Sequence, residues 1–123
     1  MDYDVIIVGA GPTGSSLALL LGFAGHRVLV LERDVDVYPL PRAVHMDHEI
    51  VRVMQQLGIV EDLAAASSPV GCYRFQNAAG DVLLEIDGGD RLANSGHPAS
   101  LMFVQPELEA LLRARLGEDA AID

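Results

Sequence analysis

Hydrophobic positions along this chain follow two rhythms. Val5-Ile6-Ile7-Val8 is a continuous β-branched run, and Val28-Leu29-Val30-Leu31 is a second. Such runs suit parallel strands covered on both faces. Between them, Ser15 to Ala24 is rich in Ala and Leu and predicts a buried helix. Gly25 stands where a helix C-terminus commonly takes glycine. Together these segments predict a βαβ unit of about thirty residues. An irregular stretch follows from Asp34 to Pro41. Asp47 is then placed to cap a helix running to about Leu57, with Ile50, Val53, Met54 and Leu57 on one face. Gly58 ends it. A short helical segment lies around Val60 to Ala66, and Ser67-Ser68-Pro69 is a break.

From Val70 to Val104 the rhythm changes. Tyr73 and Phe75 alternate with Arg74 and Gln76, Ala79-Gly80-Asp81 marks a turn, and Val82 to Ile86 supplies a returning strand. This is the pattern of a β-hairpin. Asp87 to Ser100 reads as a loop, and Leu101 to Val104 as a short strand. Pro106 suits the first turn of a helix whose apolar stripe is Leu108, Leu111, Leu112 and Leu116. Ala120-Ala121-Ile122 reads as the start of another strand.

Composition narrows the range of partners. The chain has 123 residues, one domain's worth, with 8 basic against 18 acidic side chains and a net charge of −10. Every basic residue is arginine. So acidic a surface repels nucleic acid and anionic lipid, and neither is expected as a partner. One cysteine, Cys72, excludes a disulfide framework or a multi-cysteine metal site within one chain; it reads as a small core residue. The start, Met1-Asp2-Tyr3-Asp4, lacks the basic residues of a signal peptide, and the apolar run near Leu17 to Leu21 is too short to span a bilayer. The expected compartment is the cytoplasm.

The candidate chemistry lies at the first strand's end. Gly9, Gly11 and Gly14 form G-x-G-x-x-G directly after a strand and directly before a helix, the context that gives the pattern meaning. Gly9 allows a tight turn, Gly11 lets the backbone approach a pyrophosphate, and Gly14 lets helix and strand pack closely. The pyrophosphate then meets the positive end of the helix. Glu32, 18 residues after Gly14, ends the second strand, where its carboxylate can accept hydrogen bonds from a ribose. It would repel a 2′-phosphate. The motif does not separate NAD from FAD, because both present the same ADP half. Arg42 reads either as a solvated loop residue or as a cation neutralising the pyrophosphate. Gln105 either contacts a ligand or finishes a turn. His45 and His48 read as capping or surface residues rather than metal ligands, and His26 and His97 as surface loop residues; no metal is expected. No residue stands out as catalytic.

With the glycine motif, Glu32-Arg33, Tyr38-Pro39-Leu40-Pro41-Arg42-Ala43-Val44-His45 and Val104-Gln105-Pro106-Glu107-Leu108-Glu109 in this order, the chain resembles the N-terminal part of class A flavoprotein aromatic hydroxylases. Within that group it is most similar to the 3-(3-hydroxyphenyl)propionate hydroxylase branch. The resemblance covers all 123 residues. It implies an α/β fold: an incomplete Rossmann-like βαβ FAD-binding domain with an antiparallel β-hairpin insertion. Residues 1–69 would be the FAD-binding unit and its following helices, 70–104 the hairpin that starts a substrate-domain sheet, and 105–123 the return to the first unit. It implies FAD at Gly9, Ala10, Gly11, Pro12, Thr13 and Gly14, with Glu32 on the adenosine ribose and Arg33 beside the adenosine. Arg42 and Gln105 would reach the cofactor from their loop and helix. The implied reaction hydroxylates a phenolic ring with O₂, with NAD(P)H as reductant. The family's later Asp-Gly and Gly-Asp motifs have no counterpart in the chain, so alone it is expected to be inactive and to hold flavin weakly. A non-catalytic FAD- or ADP-binding module and an NAD-dependent oxidoreductase fragment are the alternative readings.

Overall fold

A computed structural model describes residues 2–87 and 92–123. Strand β1 (Val5–Val8) leads through the glycine turn into helix α1 (Pro12–Phe23), which returns to strand β2 (Val28–Leu31). The strands pair in parallel, Val5 opposite Val28 through Val8 opposite Leu31. Helix α1 ends in a Schellman arrangement: the Gly25 amide donates to the Gly22 carbonyl and the His26 amide to that of Leu21. The expected βαβ unit is therefore present. The chain's last residues pair with β2 as well. Ile122 bridges Val28 in parallel, and the Val30 amide donates to the Asp123 carbonyl at 2.8 Å.

The sheet is covered differently from the expectation. Only one face of β1 meets a helix: Ile7 is buried against Ala18 and Val28, whereas Ile6 and Val8 are 59% and 84% exposed. Alternate strand residues point to opposite faces, and α1 covers just one of them.

The middle of the chain is mostly helical. A short strand β3 (His45–Asp47) runs into helix α2 (His48–Gln56), followed by α3 (Val60–Ala65). Asp47 caps α2 as its sequence position suggests, its carboxylate accepting from the amides of Glu49 and Ile50 at 3.0 Å. Strand β4 (Ser68–Pro69) occupies the expected break. Strands β5 (Cys72–Gln76) and β6 (Val82–Asp87) form the expected hairpin, with a bulge between Phe75 and Gln76. The expected loop at 87–100 lies partly outside the described residues; its described part has a bridge between Leu92 and Pro98. Strand β7 (Ser100–Met102) pairs antiparallel with both β3 and β4, and helix α4 (Gln105–Leu116) follows.

The main core gathers Leu19 of α1, Met46 of β3, Val51, Met54 and Leu57 of α2 and its end, Leu63 of α3, and Leu108 and Leu112 of α4. Helix α1 joins the two cores through adjacent residues, Ala18 facing the parallel strands and Leu19 the helices. Cys72 does not belong to either core. It is exposed on β5, because among the described residues the hairpin pairs only with itself and leaves most of its side chains open. His97 is half-buried, its Nε2 2.9 Å from Gln55 Oε1, rather than a free surface residue. Among the described residues, no helix is long and apolar enough to cross a membrane.

Candidate nucleotide-binding site

The glycine turn is shaped by close approach. Gly9 has φ +106°, a conformation side-chain-bearing residues rarely adopt. A Cβ at Gly14 would lie 2.0 Å from the Gly9 carbonyl oxygen, so this glycine sets the distance between α1 and the turn. Space above Gly9 and Gly11 is open; a Cβ there meets no atom within 4 Å. Helix α1 has Pro12 in its first turn and no side-chain cap. Its first amides therefore lack a side-chain acceptor among the described residues and remain suited to an anion. The open space over Gly9 and Gly11 and the uncapped helix fit a pyrophosphate.

Glu32 closes this arrangement. Its Oε2 accepts from the Ala10 amide at 2.7 Å, and its Oε1 accepts from the amides of Arg33 at 2.6 Å and Asp34 at 2.9 Å. The amide of Asp34, then that of Ala10, hold its carboxyl below the ordinary range, with help from the Arg33 amide and the nearby Arg113 guanidinium. The side chain is exposed and ionised, with acceptor capacity left for a ribose hydroxyl.

Two hollows are formed by these elements, one along the loop after β2 and one against the start of α1. One, of about 690 Å³, is lined by Arg33, Asp34, Tyr38 and Arg42, among others. The Arg42 guanidinium lies 4.9 Å from the Tyr38 ring centroid, a cation–π stack. The other, of about 510 Å³, is largely apolar and lies between Pro12, Thr13 and Leu17 on one side and Met46, Ile50 and Met54 on the other.

Gln105 lies beneath the loop. It is 5% exposed, its Oε1 accepts from the amides of Arg42 at 2.9 Å and Ala43 at 2.7 Å, and its Nε2 donates to buried Glu109 at 2.6 Å. The structure thus joins Ala10 to Glu32, places Arg33 and Arg42 on one hollow, and ties Gln105 to the Arg42 backbone. Sequence reasoning passed over Glu109 and Arg113. Their spacing from Gln105, four and eight residues along a helix, was the available signal. It also missed the contact among His45, Tyr73 and Ser100. Ser100 Oγ lies 2.5 Å from His45 Nε2 and 2.6 Å from Tyr73 Oη, and the two rings meet edge to face. These bonds fasten the hairpin to β3 and β7. Among the described residues, no group of three His, Cys, Asp or Glu side chains could hold a metal ion.

A parallel βαβ unit with this turn and carboxylate is a module for the ADP half of a dinucleotide. The chain belongs to the FAD binding domain family, whose sequence pattern matches residues 2–122. It is 44% identical over 109 residues to a protein of Rhodococcus jostii (strain RHA1) named probable NADH-specific resorcinol 4-hydroxylase, covering 89% of this chain and 20% of the relative. It is 39% identical over 121 residues to a 3-(3-hydroxy-phenyl)propionate/3-hydroxycinnamic acid hydroxylase of Mycobacterium avium (strain 104), covering 98% of this chain and 20% of the relative. Among solved structures, p-nitrophenol 4-monooxygenase from Pseudomonas putida DLL-E4 is 26% identical with a TM-score of 0.81, covering 96% of this chain and 30% of that one. The chain spans about a fifth of the length of these curated relatives.

Proposed function

We propose that this chain is the N-terminal FAD-binding portion of a flavin-dependent monooxygenase acting on phenolic rings such as 3-(3-hydroxyphenyl)propionate, with NAD(P)H as reductant, in the cytoplasm. The observation that carries this reading is the Glu32 carboxylate bonded to the Ala10 amide, beside an uncapped α1 and open space over Gly9 and Gly11. The family match supports the choice of FAD, and the relatives' names, both hydroxylases, support that of an aromatic substrate.

The roles of the chain's own residues follow. Gly9 to Gly14 leave room for the pyrophosphate, which faces the amides of Thr13 and Gly14. Glu32 accepts from the adenosine ribose hydroxyls. Arg33 lies along the adenosine, and Arg42, held by Gln105 and stacked on Tyr38, offsets the phosphate charge. Bound FAD supplies the redox chemistry with O₂. The hairpin of β5 and β6 begins a sheet on the substrate side.

Calorimetry on the folded chain tests the assignment. ADP and FAD are expected to bind weakly and with similar affinity, because this chain contacts only their shared half. Adenosine 2′,5′-bisphosphate is expected to bind at least tenfold more weakly than ADP, through repulsion by Glu32. Absence of heat with ADP and FAD removes the reading. NADH binding much tighter than FAD would favour an NAD-dependent oxidoreductase fragment instead.

A further inference from the structure

We propose that Arg113 is a positioning residue for the nucleotide site: from α4 it fixes the start of the 33–43 loop, which carries Arg33, Tyr38 and Arg42. The proposal rests on the nucleotide-binding reading above for its consequence, but on the loop's own construction for its mechanism.

The loop has no regular structure from residue 32 to residue 44, and among the described residues no backbone–backbone hydrogen bond forms within 33–43. Its position is therefore set by side chains. Glu32 holds the amides of Arg33 and Asp34. Gln105 holds the amides of Arg42 and Ala43 at the far end. Arg113 holds the near end: its guanidinium donates to the Val35 carbonyl at 2.9 Å and reaches that of Asp34 at 3.5 Å.

Gln105, Glu109 and Arg113 follow one another at intervals of four, so they share a face of α4. The two anchors are eight residues apart on the helix, about 12 Å at 1.5 Å per residue. The chain from Val35 to Arg42 could extend to about 25 Å. A segment with twice the length it needs adopts one course only if both ends are fixed, and α4 fixes both. Tyr38 and Arg42 lie between these anchors or at one of them.

Charge points the same way. The chain has 18 acidic residues, yet Arg113 makes no ion pair among the described residues. By contrast Arg115, two positions on, pairs with Glu118 at 2.6 Å. A role limited to the dipole of α4 would suit both arginines equally. Only Arg113 reaches a segment nearly eighty residues earlier in the chain. Its Nε–H is buried with no partner among the described residues, so the side chain is held for the contacts its other nitrogen makes.

The test uses Arg113→Met, which keeps much of the length and removes the donors, and Arg113→Lys, which restores one. Amide hydrogen exchange is followed across the 123-residue chain, with ADP titration alongside. In Arg113→Met the amides of Arg33 and Asp34, which are bonded to Glu32, are expected to exchange about tenfold faster while those of β1, β2 and α1 keep their rates. ADP affinity should fall about tenfold. Arg113→Lys should lie between parent and Met variant in both measurements, and it carries the comparison alone if the Met variant does not fold. Faster exchange spread evenly over all elements would show a merely structural role and overturn the proposal. Unchanged exchange at Arg33 and Asp34 would overturn it too, even with weaker ADP binding. A parent that binds no ADP removes the nucleotide reading, while the exchange comparison still decides whether Arg113 holds the loop.

Discussion

Replacing Gly14 with alanine sets two effects of opposite sign against each other. Gly14 lies in the first turn of α1, where alanine is the better helix former by about 1 kcal/mol. On propensity alone the variant would be more stable. The structure predicts the reverse. The added Cβ would lie 2.0 Å from the Gly9 carbonyl oxygen and 3.1 Å from its carbon, where relaxed contacts need roughly 3.5 Å. The obstacle is backbone, and it is pinned: the Gly9 amide donates to the Leu31 carbonyl at 2.7 Å, and the Ala10 amide of the same peptide unit donates to Glu32. Relief therefore requires α1 to retreat from the sheet by more than 1 Å, on the order of the misfit. Overpacking of this kind costs about 3 kcal/mol at the upper end of its usual range. The net loss is about 2 kcal/mol, which for a domain of this size is a fall in Tm of about 8 °C. Far-ultraviolet circular dichroism during heating measures it. A Gly14→Ala chain that melts at or above the parent temperature would refute the reasoning.

Gly11→Ala makes the contrasting case: its Cβ meets no protein atom within 4 Å and its φ of −72° suits alanine. Tm should stay within about 2 °C, because such a surface change alters stability by no more than about 0.5 kcal/mol, while ADP affinity measured by calorimetry falls at least tenfold. Gln105→Met removes the acceptor for two loop amides and leaves buried Glu109 without that donor; with three bonds lost, the expected loss is about 3 kcal/mol in urea unfolding, at about 1 kcal/mol per bond. Glu32 has a folded-state pKa below its unfolded value, so its contribution is complete above the ordinary carboxylate range near pH 4.3 and disappears as pH falls through the lower folded value. Glu32→Gln should therefore be less stable than the parent at pH 7, and the gap should narrow as pH falls below the ordinary carboxylate range; a gap in urea unfolding that does not narrow as the pH is lowered would contradict the assigned hydrogen bonds.

What the sequence revealed depended on how local the signal was. The glycine turn, the Asp47 cap, the helix stops at Gly25 and Gly58 and the proline opening α4 are each set by a few adjacent residues, and all are present. Strands β3 and β4 span three and two residues, too short to show a period, and exist because β7 pairs with both. The run Val5 to Val8 is read correctly as a strand, but its burial depends on what covers the second face, which its own residues do not determine. Cys72 illustrates the same point, since an apolar residue on a strand is buried only if another layer packs against it. Glu109 and Arg113 look like an ordinary solvated helix face until the 33–43 loop is laid against α4.

A chain of net charge −10 appears ill-suited to an anionic cofactor, and the placement of its arginines resolves the difficulty. Arg52, Arg74 and Arg115 are each paired with a carboxylate within 3 Å, so their charge is locally cancelled. Arg42 stacks on Tyr38 and Arg113 donates to loop carbonyls, both without an ion-pair partner among the described residues, and exposed Arg33 has only a long contact to Asp34 at 3.4 Å. Three weakly compensated cations thus serve one loop beside the uncapped end of α1. Charges beyond about 8 Å are screened at physiological ionic strength, so a bound phosphate responds to nearby cations more than to the total. The two pictures differ in sign. If the overall charge governed binding, salt would screen repulsion and ADP affinity would rise between 50 and 300 mM. If the local arginines and helix end govern it, affinity falls over that range, and it falls less in Arg42→Met. Titrations at the two salt concentrations decide between them.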